Sequence, residues 1–135
     1  MDDNCIFCKL ANGIFETNTF YEDDDFRIIF DASPATAGHI LIIPKEHYAN
    51  VFEMPDELVA KAYVLAKKAA GVLGEVTGCE GINILQNNGE KAGQTVFHFH
   101  THLIPRYKTD GQNLNWKPQK PAEGEIEGIL KEILS

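Results

Sequence analysis

The chain has 135 residues, and its 20 Asp and Glu against 12 Lys and Arg give a formal net charge of −8 at pH 7. So acidic a surface repels a nucleic-acid backbone, which excludes nucleic acid as a general partner but still allows a small nucleotide in a local pocket. The length predicts a single globular domain with its own core. No apolar run approaches the roughly 20 residues that span a bilayer, and the acidic start lacks the pattern of a secretion signal, so we expect no membrane partner and a cytoplasmic location.

Three short strands are predicted near the start of the chain, at residues 18–23, 26–31 and 38–44. Each run is apolar or alternating, and the turns between them indicate antiparallel pairing. The segment CIFC, with Cys5 and Cys8, precedes them. In a chain without a secretion signal, this spacing suits metal binding or burial better than a disulfide.

One long helix is predicted over residues 55–78. Pro55 suits its first turn, and Gly78 suits a left-handed stop. Apolar residues recur there at steps of four and three, so we expect them to cover one face of the sheet. These residues are Leu58, Ala62, Leu65, Ala69, Val72 and Val76.

Two further strands are predicted at residues 82–88 and 95–105, with the polar loop GEKAGQ between them. The order of strands, long helix, strands and short helix predicts an α+β fold with a five-stranded antiparallel sheet. We assign residues 1–117 to this domain and residues 118–135 to a linker and a short amphipathic helix. That helix needs an apolar neighbour, so we expect it to pack on its own domain or on a second subunit.

The fifth predicted strand contains FHFHTHL, with three of the five histidines of the chain in a five-residue window. Because side chains alternate along a strand, His98, His100 and His102 would share one face, and the apolar residues between them would face the core. The three imidazoles are then close enough to act on one small group, such as a phosphate or a metal ion.

Three functions are compatible with this histidine face. A zinc hydrolase would use the histidines as ligands and activate water, a covalent phosphoryl-transfer enzyme would use one as the nucleophile, and a surface strand would use none of them. The preceding polar loop supplies amide donors suited to phosphate oxygens, which favours phosphorus chemistry. The donors come from Asn87, Asn88, Gly89, Gly93 and Gln94.

The sequence resembles the histidine triad (HIT) superfamily, whose motif is His-x-His-x-His followed by apolar residues, here HFHTHLI. The resemblance extends to CIFCKLANG, FYEDDDFRIIFDASPATAGHILIIPKEH and NNGEKAGQTVFHFHTHLIPRY, in the same order, and so covers roughly residues 5–107. It implies a HIT-like α+β fold that dimerises into one continuous sheet.

The resemblance also implies a hydrolase that cuts at the α-phosphate of a purine nucleotide through a covalent nucleotidyl-histidine. His100 would attack the phosphorus, and His102 would bind the phosphate and assist proton delivery to the leaving group. The transferase branch carries glutamine where this chain has His102, so hydrolysis is favoured. The pattern is closest to purine nucleoside phosphoramidases; the alternatives are a dinucleoside polyphosphate hydrolase and a nucleotide-binding regulatory protein with incidental activity.

Further residues match family positions that contact the nucleotide. The resemblance assigns Asp31 to the ribose hydroxyls and His39 to the edge of the site. It assigns phosphate or ribose contacts to Asn87, Gln94 and Thr95, and the faces of the base to Ile6, Phe7 and Ile29.

A subset of the family carries a structural zinc, and the matching ligands here are Cys5, Cys8, His47 and His98. Two cysteines and two histidines complete a closed tetrahedral set that would staple the N-terminal segment to the histidine strand. The chemistry itself requires no cofactor in this reading.

Overall fold

A computed structural model describes residues 2–135, which form one five-stranded sheet and three helices. The elements in chain order are α1 (Ile6–Ala11), β1 (Thr19–Glu22), β2 (Phe26–Phe30), β3 (Ile40–Pro44), α2 (Asp56–Thr77), β4 (Gly81–Gln86), β5 (Thr101–Arg106) and α3 (Glu125–Leu134). The strands are ordered β1-β2-β3-β5-β4 and every neighbouring pair is antiparallel. The predicted fold class, with its long helix and short C-terminal helix, is confirmed.

The sheet is covered on both faces because β2 and β3 are apolar on both sides. Ile28, Ile40 and Ile42 pack with α2 in the main core, whereas Ile29 and Leu41 pack with α1 on the opposite face. Helix α1 was not predicted from the sequence. It is only six residues long and begins where the Cys5 Sγ accepts a hydrogen bond from the Cys8 backbone N–H, a local contact that periodicity does not reveal.

The buried face of α2 differs from the predicted stripe in the last two turns. Val72 and Val76 are 50% and 79% exposed, and Leu73 is buried instead. The side of α2 that bears Leu73 and Thr77 lies close to Gly38, which has a φ of +90°. A Cβ at this position would lie only 3.3 Å from the Thr77 methyl carbon and 3.5 Å from Leu73 Cδ1, so the absence of a side chain permits this close approach.

The predicted strand at residues 95–105 is wrong in its first half, because β5 begins only at Thr101. His98 and His100 lie before it, in a segment whose hydrogen bonds go to the loop after β3: the Phe99 N–H donates to the Tyr48 carbonyl at 2.7 Å. Phe97 is 52% exposed and not in the core, whereas Phe99 is buried as expected. The histidines therefore do not lie on one strand face.

Helix α3 forms where it was predicted, but it does not dock on its own domain. All residues from 111 to 135 are exposed, and none of α3 is buried. Among the described helices, none is long and apolar enough to cross a membrane. The expected cytoplasmic location and the expected dimer stay predictions.

Candidate active site and metal centre

A cavity of about 520 Å³ opens on the face of the sheet that α1 covers. This volume is in the range of pockets that hold small ligands. The cavity lining combines His100, His102 and Asp31 with a set of apolar side chains. The apolar residues are Ile6, Phe7, Leu10, Ile29, Phe30 and Leu41.

The hydrogen bonds of His100 decide which of its nitrogens is free. Its Nδ1 lies 2.7 Å from the His98 carbonyl oxygen, which can only accept, so Nδ1 carries the proton and donates. Nε2 then keeps its lone pair, and the ring lines the cavity. The Phe7 ring packs edge-on against it, with centroids 4.9 Å apart, and holds the imidazole in place. His100 thus presents an oriented, unprotonated nitrogen.

His102 has the opposite arrangement, set by a chain of three groups. The Ala35 backbone N–H donates to His39 Nδ1 at 2.9 Å, so His39 carries its proton on Nε2. That Nε2–H donates to His102 Nδ1, also at 2.9 Å. His102 must therefore carry its proton on Nε2, and its ring also lines the cavity. Beside the lone pair of His100 the site thus offers an N–H donor.

Burial keeps both rings neutral. Burial, together with the neighbouring His100 and His39, lowers the pKa of His102 to about 4. Burial also lowers the pKa values of His100 and His39, although Asp31 opposes the shift in both cases. Neutral imidazoles at pH 7 can attack and can donate a hydrogen bond without first losing a proton.

The depressed pKa of His102 predicts a loss of stability in acid. In the unfolded chain a histidine has a pKa near 6.5. Between about pH 6.5 and pH 4, His102 is therefore protonated in the unfolded state but neutral in the folded state. The free energy of unfolding should be highest above pH 6.5 and fall across this window. In His102→Gln the fall should be shallower. Denaturant unfolding of both proteins at pH 7.5 and 4.5 measures this fall in the free energy of unfolding. An equal fall in the two proteins would contradict the lowered pKa of His102.

Asp31 follows β2 and lies at the edge of the cavity. One carboxylate oxygen accepts the Ser33 backbone N–H at 2.8 Å, and the other lies 3.6 Å from His39 Nε2. The side chain is fixed by these contacts but only partly buried. Its remaining lone pairs can accept hydrogen bonds from a ligand.

Asn87 and Gln94 are not among the residues that line this cavity. Gln94 is fully buried: its side-chain amide donates to the carbonyls of Ala49 and Val96, and its oxygen accepts from the Gly89 N–H. Asn87 lies against Gly93. Thr95 does line the cavity. The two amides thus shape the loop in this structure, and any contact with a ligand remains a prediction.

Several cavity residues were not anticipated from the sequence. Leu41 belongs to β3, whereas Ser33 lies in the loop after β2, Val96 lies in the segment before β5, and Glu16 and Thr17 lie in the loop between α1 and β1. Leu41 was recoverable in principle, since it lies directly opposite His102 in the β3–β5 ladder. The loop residues carry no signal of their own in a single sequence.

The four predicted metal ligands meet on the other side of the histidine segment. Cys5 Sγ and Cys8 Sγ each lie 3.3 Å from His98 Nδ1, and His47 Nδ1 lies 3.4 Å from Cys8 Sγ and 3.2 Å from His98 Nδ1. All four ligand atoms lie within 4.8 Å of one another. Around a tetrahedral zinc, neighbouring nitrogen and sulfur ligands are about 3.3–3.8 Å apart, so the spacing fits one ion.

The tautomer of His98 also fits a metal. Its Nε2 lies 2.8 Å from the Pro44 carbonyl and donates to it, so Nδ1 is a lone pair aimed at the two sulfurs and at His47. A backbone carbonyl behind a histidine ligand is the usual way in which proteins orient such a ligand. The residues present therefore suit a closed structural zinc site with no open position for water.

Comparison with known proteins identifies the family of the chain. The family model of the HIT domain matches residues 13–109. Adenosine 5'-monophosphoramidase hnt1 of Schizosaccharomyces pombe is 36% identical over 133 residues, covering 98% of this chain and 97% of that protein. The chain belongs to the HIT family.

Solved structures of the family superpose closely. SMU.412c from Streptococcus mutans is 37% identical with a TM-score of 0.92, covering 99% of this chain and 85% of that one. A HIT family member from Bacillus subtilis is 40% identical with a TM-score of 0.88, covering 98% and 96%. A zinc-bound histidine triad protein from Mycobacterium smegmatis is 33% identical with a TM-score of 0.78, covering 96% and 95%.

Proposed function

We propose that this protein hydrolyses a purine nucleoside phosphoramidate at its α-phosphate, with His100 as the nucleophile. The observation that carries the proposal is the assignment of the free lone pair to His100 Nε2, in a cavity that also presents a neutral N–H donor on His102. A surface strand without a function needs neither feature. The name of the S. pombe relative supports the same substrate class.

In the first step the His100 Nε2 lone pair forms a bond to the α-phosphorus, and the bond from phosphorus to the leaving amine breaks. The departing amine takes a proton through the Nε2–H of His102, which solvent at the cavity mouth replaces. The proton stays on His100 Nδ1, which donates it in a hydrogen bond to the His98 carbonyl oxygen, and this hydrogen bond stabilises the positive charge on the substituted ring. In the second step water forms a bond to the phosphorus and releases a proton to solvent at the cavity mouth. The bond from phosphorus to His100 Nε2 breaks, which restores the lone pair of that nitrogen.

The polar and apolar parts of the cavity lining fit the parts of a nucleotide. Asp31 would accept hydrogen bonds from the ribose hydroxyls, and Thr95 would donate to the phosphate. Ile6 and Ile29 belong to the apolar lining and would contact the base. Phe7 contacts both the cavity and the His100 ring, so base binding and nucleophile orientation share one side chain.

Zinc belongs to this proposal as a structural ion. Cys5, Cys8, His47 and His98 would hold it, and it would supply folding energy and no step of the reaction. The ion would fix α1 and the histidine segment relative to each other, since the two cysteines flank the start of α1. The zinc-bound M. smegmatis structure supports this assignment.

A direct test offers the protein adenosine 5'-phosphoramidate and a diadenosine polyphosphate and measures release of AMP. We expect faster turnover of the phosphoramidate, with AMP and ammonia as products. If only the polyphosphate is cleaved, the proposed leaving group is wrong but the mechanism with His100 as the nucleophile still stands. Tight binding of AMP without turnover of either compound would favour a nucleotide-binding regulatory protein over a hydrolase.

A further inference from the structure

The loop between α1 and β1 brings two polar side chains to the cavity that His100 lines. Glu16 and Thr17 both belong to the cavity lining; Glu16 is exposed and Thr17 is half-buried. The nearest guanidinium, that of Arg27, donates to Thr19 Oγ1 and to the Leu10 carbonyl and makes no ion pair with Glu16. The Glu16 carboxylate is therefore free to accept hydrogen bonds from a ligand.

Backbone hydrogen bonds fix this loop on both sides. On one side, the Ile14 N–H donates to the Lys9 carbonyl at 2.9 Å, which ties the loop to the last turn of α1. On the other side, the Asn18 carbonyl accepts from the Phe30 N–H at 3.0 Å, which ties the loop to the end of β2. The loop thus has a defined place between α1 and the sheet.

The strand order separates the loop from the histidines. The loop leads into β1, an edge strand, whereas His102 lies on β5, and β2 and β3 lie between these two strands. Neighbouring strands are about 4.8 Å apart, so about 14 Å separates β1 from β5. Asp31 follows β2 and lies between the loop and His102. The order of histidines, Asp31 and loop matches the order of phosphate, ribose and base in an extended nucleotide.

A carboxylate and a hydroxyl beside the base distinguish guanine from adenine. Guanine carries N1–H and 2-amino donors on one edge, and a carboxylate, which only accepts, can bind both with its two oxygens. The neighbouring O6 accepts from a hydroxyl. Adenine has only its 6-amino group as a donor on that edge, and its N1 lone pair repels a carboxylate oxygen. A site built to hydrogen-bond one ligand rejects an analogue that leaves the site's polar groups unmatched.

We infer that Glu16 and Thr17 recognise the base and make this protein prefer guanine nucleotides. The Glu16 carboxylate accepts from N1–H and from the 2-amino group, and the Thr17 hydroxyl donates to O6. The apolar side chains of the cavity contact the faces of either purine and do not separate the two. This inference rests on the nucleotide substrate of the proposed function and adds the identity of the base.

The substrates that test this preference are the 5'-phosphoramidates of guanosine, inosine and adenosine. Inosine keeps N1–H and O6 but lacks the 2-amino group, so it isolates one of the two contacts with Glu16. We expect kcat/KM to fall in the order guanosine, inosine, adenosine, by about tenfold or more from first to last. In Glu16→Gln the amide can accept from the 6-amino group of adenine and donate to its N1, so the preference should disappear or reverse.

The matched control is Glu75→Gln on α2. It removes the same charge from an exposed position outside the cavity lining and should keep the wild-type order of substrates. Because Glu16 is exposed, Glu16→Gln should fold, which circular dichroism checks. Equal kcat/KM for guanosine and adenosine in the wild type would overturn the inference, and so would a guanosine preference that Glu16→Gln retains.

Binding of GMP and AMP, measured by calorimetry, separates this inference from the proposed reaction. If GMP binds about tenfold more tightly than AMP and Glu16→Gln removes the difference, the inference stands even when no phosphoramidate is hydrolysed. Turnover without a base preference would leave the reaction in place and overturn the role of Glu16. Binding of neither nucleotide would overturn both.

Discussion

His100→Ala should lower kcat/KM for adenosine 5'-phosphoramidate by at least about a hundredfold, or roughly 2.7 kcal/mol of transition-state stabilisation. The reason is that, among residues 2–135, no other imidazole nitrogen of the cavity lining has a free lone pair. His102 presents its proton there, and the His39 nitrogens are occupied by Ala35 and His102. The variant removes a ring without adding bulk, so its fold should persist.

Chemical rescue separates a nucleophile from a structural residue. In His100→Gly the missing ring leaves space beside Phe7, and added imidazole should restore part of the turnover. The control is Phe97→Ala, in the same segment but 52% exposed and outside the cavity lining, which should retain activity. If folded His100→Ala keeps activity within tenfold of the wild type, His100 is not the nucleophile.

Cys8→Ser should abolish stoichiometric zinc binding and strongly destabilise the protein. Cys8 is fully buried and contacts both His47 and His98, so its loss leaves the other ligands without a fourth partner. An ion present at a thousand times its Kd stabilises the folded state by about 4 kcal/mol. For a chain of this size, we expect Tm to fall by about 10 °C or more. Metal analysis and thermal unfolding measure both effects.

The control for this variant is Cys79→Ser, which removes a thiol outside the cluster and should leave zinc content unchanged. A chelator adds a second criterion. If zinc is structural, the wild type should keep its initial rate after chelation until it begins to unfold. An immediate loss of turnover in folded protein would instead indicate that zinc activates water. Full zinc content in Cys8→Ser would show that this cluster is not the zinc site.

The sequence predicted the fold well where periodicity is strong. Four strands and two helices appear within a few residues of their predicted limits, because alternating or amphipathic patterns report local burial directly. The prediction failed at residues 95–100, where the alternation of FHFHTHL also looks like a strand. There the Phe99 backbone N–H donates to the Tyr48 carbonyl in the loop after β3 and not to a sheet edge, a long-range contact that the pattern does not encode.

The candidate site was predictable to a similar degree. The cysteines and histidines that the resemblance assigned to a metal lie in one cluster, and His100, His102, Asp31 and Thr95 line one cavity, while their roles stay predictions. It did not reveal that Gln94 is occupied by backbone groups or that Phe7 steadies the His100 ring. These facts depend on how α1 lies over the sheet, which is decided by packing and by the cysteine cluster.

Backbone carbonyl oxygens give His98 and His100, only two positions apart, different tautomers. The Pro44 carbonyl accepts from Nε2 of His98 and leaves Nδ1 facing the two sulfurs, whereas the His98 carbonyl accepts from Nδ1 of His100 and leaves Nε2 without a proton on a ring that lines the cavity. The path of the backbone, through the positions of these two carbonyl oxygens, therefore decides which nitrogen of each ring carries the proton. Alanine scanning leaves both carbonyl oxygens in place. We therefore expect it to detect the loss of either histidine without revealing that backbone hydrogen bonds give the two rings different tautomers.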